Sequence, residues 1–166
     1  MSFTCAVCGA THEGETRDIR MSLPEPVFAL GAAERGQRAE VGDDSAILRD
    51  PAGDRFFVRS LLELPIEGEE GYFGYGTWIE VTREAFEALD ELWHDVEGWR
   101  SQPFAGTLAN ELTPYEGTEG LGVAIRLREV SLLPLVELDE DDHELVRDQR
   151  DGISPHRAHE LAATVE

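Results

Sequence analysis

Two thiols and an imidazole near the start of the chain, in the order Cys5-x-x-Cys8-Gly9-x-x-His12, are the residues best spaced for chemistry. A two-residue gap lets both thiolates turn toward one ion, and a glycine after the second relieves the tight turn that results. His12 is close enough to supply a third donor, and zinc commonly takes such sets of sulfur and nitrogen. A structural zinc site needs a fourth ligand. The candidates are Asp44, the pair His156 and His159, which at i and i+3 share a helix face, or cysteines of a second chain.

Two other readings of the cysteines compete with zinc. A redox pair normally sits after a strand at a helix N-terminus, which lowers the thiolate pKa. Here Gly9 and Gly14 surround a short polar stretch with poor helix signals and no βαβ pattern, so redox catalysis is disfavoured. Zinc, or two inert thiols left from an ancestral site, both remain open.

The other motifs read more plainly as structure. The acidic run over 137–144 lacks the alternation and central glycine of a calcium loop, and acids before a helix favour its positive dipole end. His143 within it reads as a capping or packing residue. The aromatics of 72–78 fall at period two, which is the pattern of a strand core rather than a base-stacking platform. No serine stands in a G-x-S-x-G setting, and no H-E-x-x-H or phosphate-cradling GK[ST] is present. Asp43 and Asp44 beside Ser45 read as a solvated turn before a strand, with functional acids as the rival reading.

These residues need elements to hold them. A turn-rich cap spans 1–15. Pro24 and Pro26 interrupt any early helix, and 28–38 predicts a short one before Gly42. From Ser45 the period becomes two: a short strand at 46–49, a turn at 50–54, and a long strand over 55–66. In that strand Phe56, Val58, Leu62, Leu64 and Ile66 share one face, opposite Arg55, Arg59 and Glu63. A third strand carries Phe73, Tyr75, Thr77, Ile79 and Val81. Thr82 then caps a helix with the stripe Phe86, Leu89, Leu92, Trp93 and Val96, and Gly98 ends it. The stretch 108–112 is ambiguous between strand and helical turn. Strands follow around Val123 to Leu127 and over 133–138, then a helix with Leu145 and Val146 that Gly152 breaks. Ser154-Pro155 opens a last helix.

Strands grouped in mid-chain with helices inserted and appended predict an α+β domain: an antiparallel sheet, helices packed on one face, and a small N-terminal Cys/His knuckle. No repeat or low-complexity linker divides the 166 residues, so 1–166 reads as one domain.

Composition limits the partners. Thirty-five acidic residues against fourteen basic ones leave a net charge of −21, and every base is arginine. Such a field repels phosphate backbones and anionic lipid heads, so nucleic acid and membrane are not expected partners. Affinity for a basic protein surface is permitted, but a salt-adapted or high-GC host that replaces lysine with arginine is the stronger reading. No apolar run approaches the roughly 20 residues that cross a bilayer. The N-terminus has no basic start or apolar core, so a secretory signal is not expected and a cytoplasmic location is.

The order Cys5-x-x-Cys8-Gly9-x-x-His12, Asp44, Phe57-Val58-Arg59, Leu64-Pro65-Ile66, Tyr75-Gly76-Thr77-Trp78, Tyr115, Pro134 to Leu138, His143, Gln149 and Gly152-Ile153-Ser154 resembles a bacterial family catalogued as domain of unknown function 2199. The resemblance runs over essentially the whole chain and implies one intact domain with no established activity. In the family a further cysteine often follows the Asp44 position. Here Ser45 and Ala46 follow instead, which weakens the metal reading for this chain.

With no complete catalytic constellation, the leading expectation is a non-enzymatic interaction domain with a structural CxxC element, open to zinc and to a partner with a basic surface. One version is an immunity-type protein that neutralises a basic toxin. The alternative is a metal-dependent enzyme using Cys5, Cys8 and His12 with an open position for water. Oligomeric state cannot be read from these residues.

Overall fold

Apolar alternation is strongest over 55–65 and 72–81, and those stretches become the longest strands. The computed structural model describes residues 2–4, 11–13, 18–130 and 132–163. In chain order the strands are β1 (Ser2–Thr4), β2 (Thr11–Glu13), β3 (Asp18–Arg20), β4 (Ala39–Val41), β5 (Ser45–Leu48), β6 (Arg55–Pro65), β7 (Tyr72–Val81), β8 (Phe104–Leu108), β9 (Gly122–Arg126) and β10 (Leu135–Leu138). The helices are α1 (Glu25–Phe28), α2 (Ala32–Arg38), α3 (Arg83–Trp93), α4 (Glu144–Asp151) and α5 (Pro155–Ala163), with a 3-10 turn at Gly98–Arg100.

β6 and β7 pair antiparallel from Phe56 opposite Val81 to Pro65 opposite Tyr72. From β7 the ladder passes to β8, β9 and β10 by antiparallel pairing. β10 then returns to lie parallel beside β6, with Leu135 against Leu61. The ring is closed. Two branches leave it: β5 and β4 add antiparallel to the first half of β6, and β3 adds parallel to β7, with Ile19 against Tyr75. β1 and β2 form a separate antiparallel pair.

This corrects the expected fold. The protein is a closed five-stranded barrel with added strands and five helices among the described residues, not an antiparallel sheet with helices on one face. Closure removes unpaired edges from the ring itself, and the short strands β3 and β4 form the ends of the two branches. The pattern of alternation shows which side of a strand is apolar, but not which strand lies beside it. Of the N-terminal knuckle expected at 1–15, only the backbone of β1 and β2 falls within the described residues.

Inside the barrel Val58, Leu62 and Leu64 of β6 meet Phe73, Tyr75 and Ile79 of β7, with Val123, Ile125 and Val136 from the far wall. Leu89 of α3, Leu145 of α4 and Leu161 of α5 join the same cluster. Each such side chain contributes roughly 2 kcal/mol by leaving water. Gly106 of β8 stands where the walls approach closely: a Cβ there would lie 2.6 Å from Ile79 Cγ2 and 2.8 Å from the Glu80 carbonyl oxygen.

The outer face of β6 and β7 carries a second, smaller cluster. Phe57 and Trp78 pack with Ala46, Leu48, Ala109 and with Val27 of α1. One helix was expected over 28–38, but two short ones form, broken between Phe28 and Ala32. Pro26 sits in the first turn of α1, where a missing N–H costs little.

The helix signals hold better. Thr82 Oγ1 accepts from Ala85 N at 3.1 Å, Ser154 Oγ from Arg157 N at 3.0 Å, and His143 Nδ1 from Leu145 N at 3.0 Å. α3 ends at Trp93, a turn earlier than Gly98. No helix among the described residues is long and apolar enough to cross a membrane.

Candidate functional site

The turn between β4 and β5 is held from below by one arginine. Gly42 N donates to Ser45 O at 2.8 Å to close the turn, and Arg59 N donates to Asp44 O at 2.9 Å. Arg59 Nε donates to Asp43 O at 2.9 Å and its Nη1 to Met21 O at 2.9 Å. The guanidinium lies 4.5 Å from the Trp78 ring centroid, within cation–π range. Trp78 Nε1 also donates to Met21 O, at 3.1 Å. Arg59 is only 4% exposed. Burial lowers its pKa, the Arg20 charge adds to that, and Asp44 and Asp43 oppose it.

Above this turn lies a cavity of about 240 Å³. Asp43, Asp44 and Ser45 form one wall, Val58 part of the floor, and Phe86, Leu89, Asp90, Trp93 and His94 the wall supplied by α3. The helical residues follow the i, i+3, i+4, i+7 spacing of a single face, so the stripe that packs the core also furnishes the groove. Phe86 and Trp93 are half-buried there, while the three aspartates and His94 are exposed. Carboxylates beside aromatic faces suit a cation. Ser45, His94 and the aspartates could suggest a nucleophilic relay, but among the described residues no hydrogen bond links them.

A second cavity, of about 370 Å³, lies on the other side of Asp44. Its lining is Asp18, Ile19 and Arg20 of β3, Asp44, Arg59 and Leu61, Gly76 of β7, and Leu133. Asp44 lines both cavities.

The proposed metal ligands fare unevenly. Cys5 and Cys8 lie outside the described residues, and His12 is described only as backbone in β2, paired with Phe3. Asp44 lines the groove, and neither His156 nor His159 does. Those two are neighbours on α5 with ring centroids 6.2 Å apart, and His156 Nε2 lies 3.5 Å from Glu160 Oε1. Among the described residues no group of three His, Cys, Asp or Glu side chains is placed to hold a metal ion.

Other motifs settle as structure. His143 caps α4 and its Nε2 lies 2.7 Å from Glu116 O. Phe73, Tyr75 and Trp78 are strand core. Tyr115 donates its hydroxyl to Asp148 on α4. Gln149 bonds to β10 twice, accepting from Leu138 N and donating to Val136 O.

One further residue organises the outer face without any site motif around it. Asn110 is fully buried, and its Oδ1 accepts from Thr77 Oγ1 at 2.9 Å and from Trp78 N at 2.8 Å, while Nδ2 donates to Leu23 O at 2.8 Å. It ties the outer face of β7 to the segment leading into α1. Its one sequence signal is an amide between the apolar residues Leu108, Ala109 and Leu112, with Glu111 beside it.

Neither a curated protein nor a solved structure matches the chain. Residues 4–153 match a family described as uncharacterised protein conserved in bacteria, domain of unknown function 2199. That span takes in every β-strand from β3 to β10 and both cavities, and the chain belongs to this family.

Proposed function

We propose that the domain is a binding module whose α3 groove receives arginine or lysine side chains of a basic partner protein. The observation that carries this reading is the lining, three carboxylates around the half-buried rings of Phe86 and Trp93. A guanidinium placed there meets negative charge and an aromatic face together. The net charge of −21 supports it, because a field of that sign draws basic surfaces and repels phosphate backbones. Exposed ion pairs are weak and screened, so affinity falls steeply with salt.

Calorimetry with an acetylated decapeptide carrying four arginines tests the proposal. Asp44→Asn with Asp90→Asn weakens binding at least tenfold, whereas Asp141→Asn with Asp142→Asn, in the exposed acidic run, leaves it nearly unchanged. Equal losses in the two pairs would mean diffuse attraction and would overturn the groove.

Zinc at Cys5, Cys8 and His12 is a separate part of the proposal. The pairing of Thr4 with Thr11 brings together the two ends of the segment that carries both cysteines. Elemental analysis of untagged protein is expected to give about one zinc per chain, lost in Cys5→Ser. No metal, with two freely titrating thiols, would remove it.

A further inference from the structure

The cavity beside the groove has a different character. Arg59 is 4% exposed, and its described partners are two carbonyl oxygens and the Trp78 ring. Among the described residues no carboxylate lies within ion-pairing distance of it, and Asp44 and Asp43 act on it only from farther off, whereas arginines such as Arg38 and Arg49 pair directly with carboxylates; a buried cation without a direct ion pair is costly. Arg20 lines the same cavity, close enough for its charge to act on Arg59. Two guanidiniums facing one space call for a carboxylate.

A simple anion does not complete the site, because Asp18 and Asp44 line it as well. The four formal charges cancel. Leu61 and Leu133 supply apolar walls; Ile19 also lines the cavity, but its side chain belongs to the barrel core. A Cβ at Gly76 would meet Arg20 Cα at 3.7 Å and Ile19 O at 3.8 Å, so the glycine lies in ordinary contact with β3. A volume of about 370 Å³ falls at the small end of ligand pockets.

We infer that this cavity is a binding site for a small zwitterion with an apolar side chain, an aliphatic α-amino acid. Its carboxylate sits on Arg59 and Arg20, its ammonium on Asp18 and Asp44, and its side chain against Leu61 and Leu133. The site is distinct from the α3 groove, which Asp90 lines and Arg20 does not.

Calorimetry on the full chain with L-leucine, 4-methylpentanoate and leucinamide tests this. Leucine is expected to bind saturably, and either analogue, lacking one charge, at least tenfold more weakly. Arg20→Gln and Asp18→Asn, both at exposed positions, each weaken leucine about tenfold with melting temperature unchanged, while Asp90→Asn does not. These variants keep the test valid should Arg59→Met fail to fold. No binding of leucine, valine or isoleucine, equal binding of 4-methylpentanoate, or indifference to Arg20→Gln and Asp18→Asn would each overturn it.

Discussion

The two faces of the β6–β7 hairpin are built by opposite means. Inward, Leu62, Leu64, Phe73 and Ile79 fill a barrel with hydrocarbon; of the polar atoms that enter, Tyr75 Oη and Ser60 Oγ have no described partner, while Thr77 Oγ1 donates to Asn110 Oδ1. Outward, buried polar groups do the organising: Arg59 and Asn110 bond to the backbone of the segment entering α1 and of the Asp43–Asp44 turn. The inner face is general packing that any well-filled barrel provides. The outer face is specific, because each hydrogen bond fixes one backbone group at one place. Both cavities lie along structure that the outer face positions.

Truncation on the inner face carries the largest expected effect. Leu62→Ala removes a fully buried side chain and is expected to cost about 3 kcal/mol, seen as a lower urea midpoint with cooperative unfolding retained. A loss below about 1 kcal/mol would mean that the barrel interior is not the main source of stability.

Asn110→Ala comes next, at about 2 kcal/mol, because Thr77 Oγ1, Trp78 N and Leu23 O each lose a partner. Its distinguishing mark is local. Amide exchange should rise first over 21–30, before the barrel strands open. Exchange that rises uniformly would erase the distinction between the faces.

The smallest effect concerns Glu63, also on the outer face. Burial raises its pKa, Asp18 adds to that, and Arg128 opposes both. A carboxyl with a raised folded pKa binds protons more readily folded than unfolded, so stability falls as pH rises through the ordinary carboxylate range. Glu63→Gln is therefore expected to gain under about 1 kcal/mol at pH 7, with the gain vanishing below about pH 4. A gain that persists in acid would point to packing rather than charge.

Much of this architecture was legible in the residues. Period-two runs located β5, β6 and β7, and Thr82 and Ser154 marked helix starts through hydroxyls that do accept the expected amide protons. Barrel closure was not legible. It depends on β8, whose Phe104-Ala105-Gly106-Thr107-Leu108 alternates only weakly, and on the parallel pairing of β10 with β6, residues more than seventy positions apart. The groove was half legible. Asp44 was marked as a carboxylate of interest, but Phe86 and Trp93 read only as core, because a stripe does not reveal which of its members the core leaves uncovered. Arg59 read as an outward polar residue, and outward it is. Its burial comes from the segment around α1, which no local pattern places over that face.

The central claim is that the acidic groove, rather than acidity at large, receives basic side chains. The most direct measurement is the change in backbone amide resonances as the four-arginine decapeptide is added at physiological salt. The account predicts saturable shifts concentrated at 42–45 and 86–94. Shifts spread over 137–144 and the other exposed acids, or absent from α3, would contradict it.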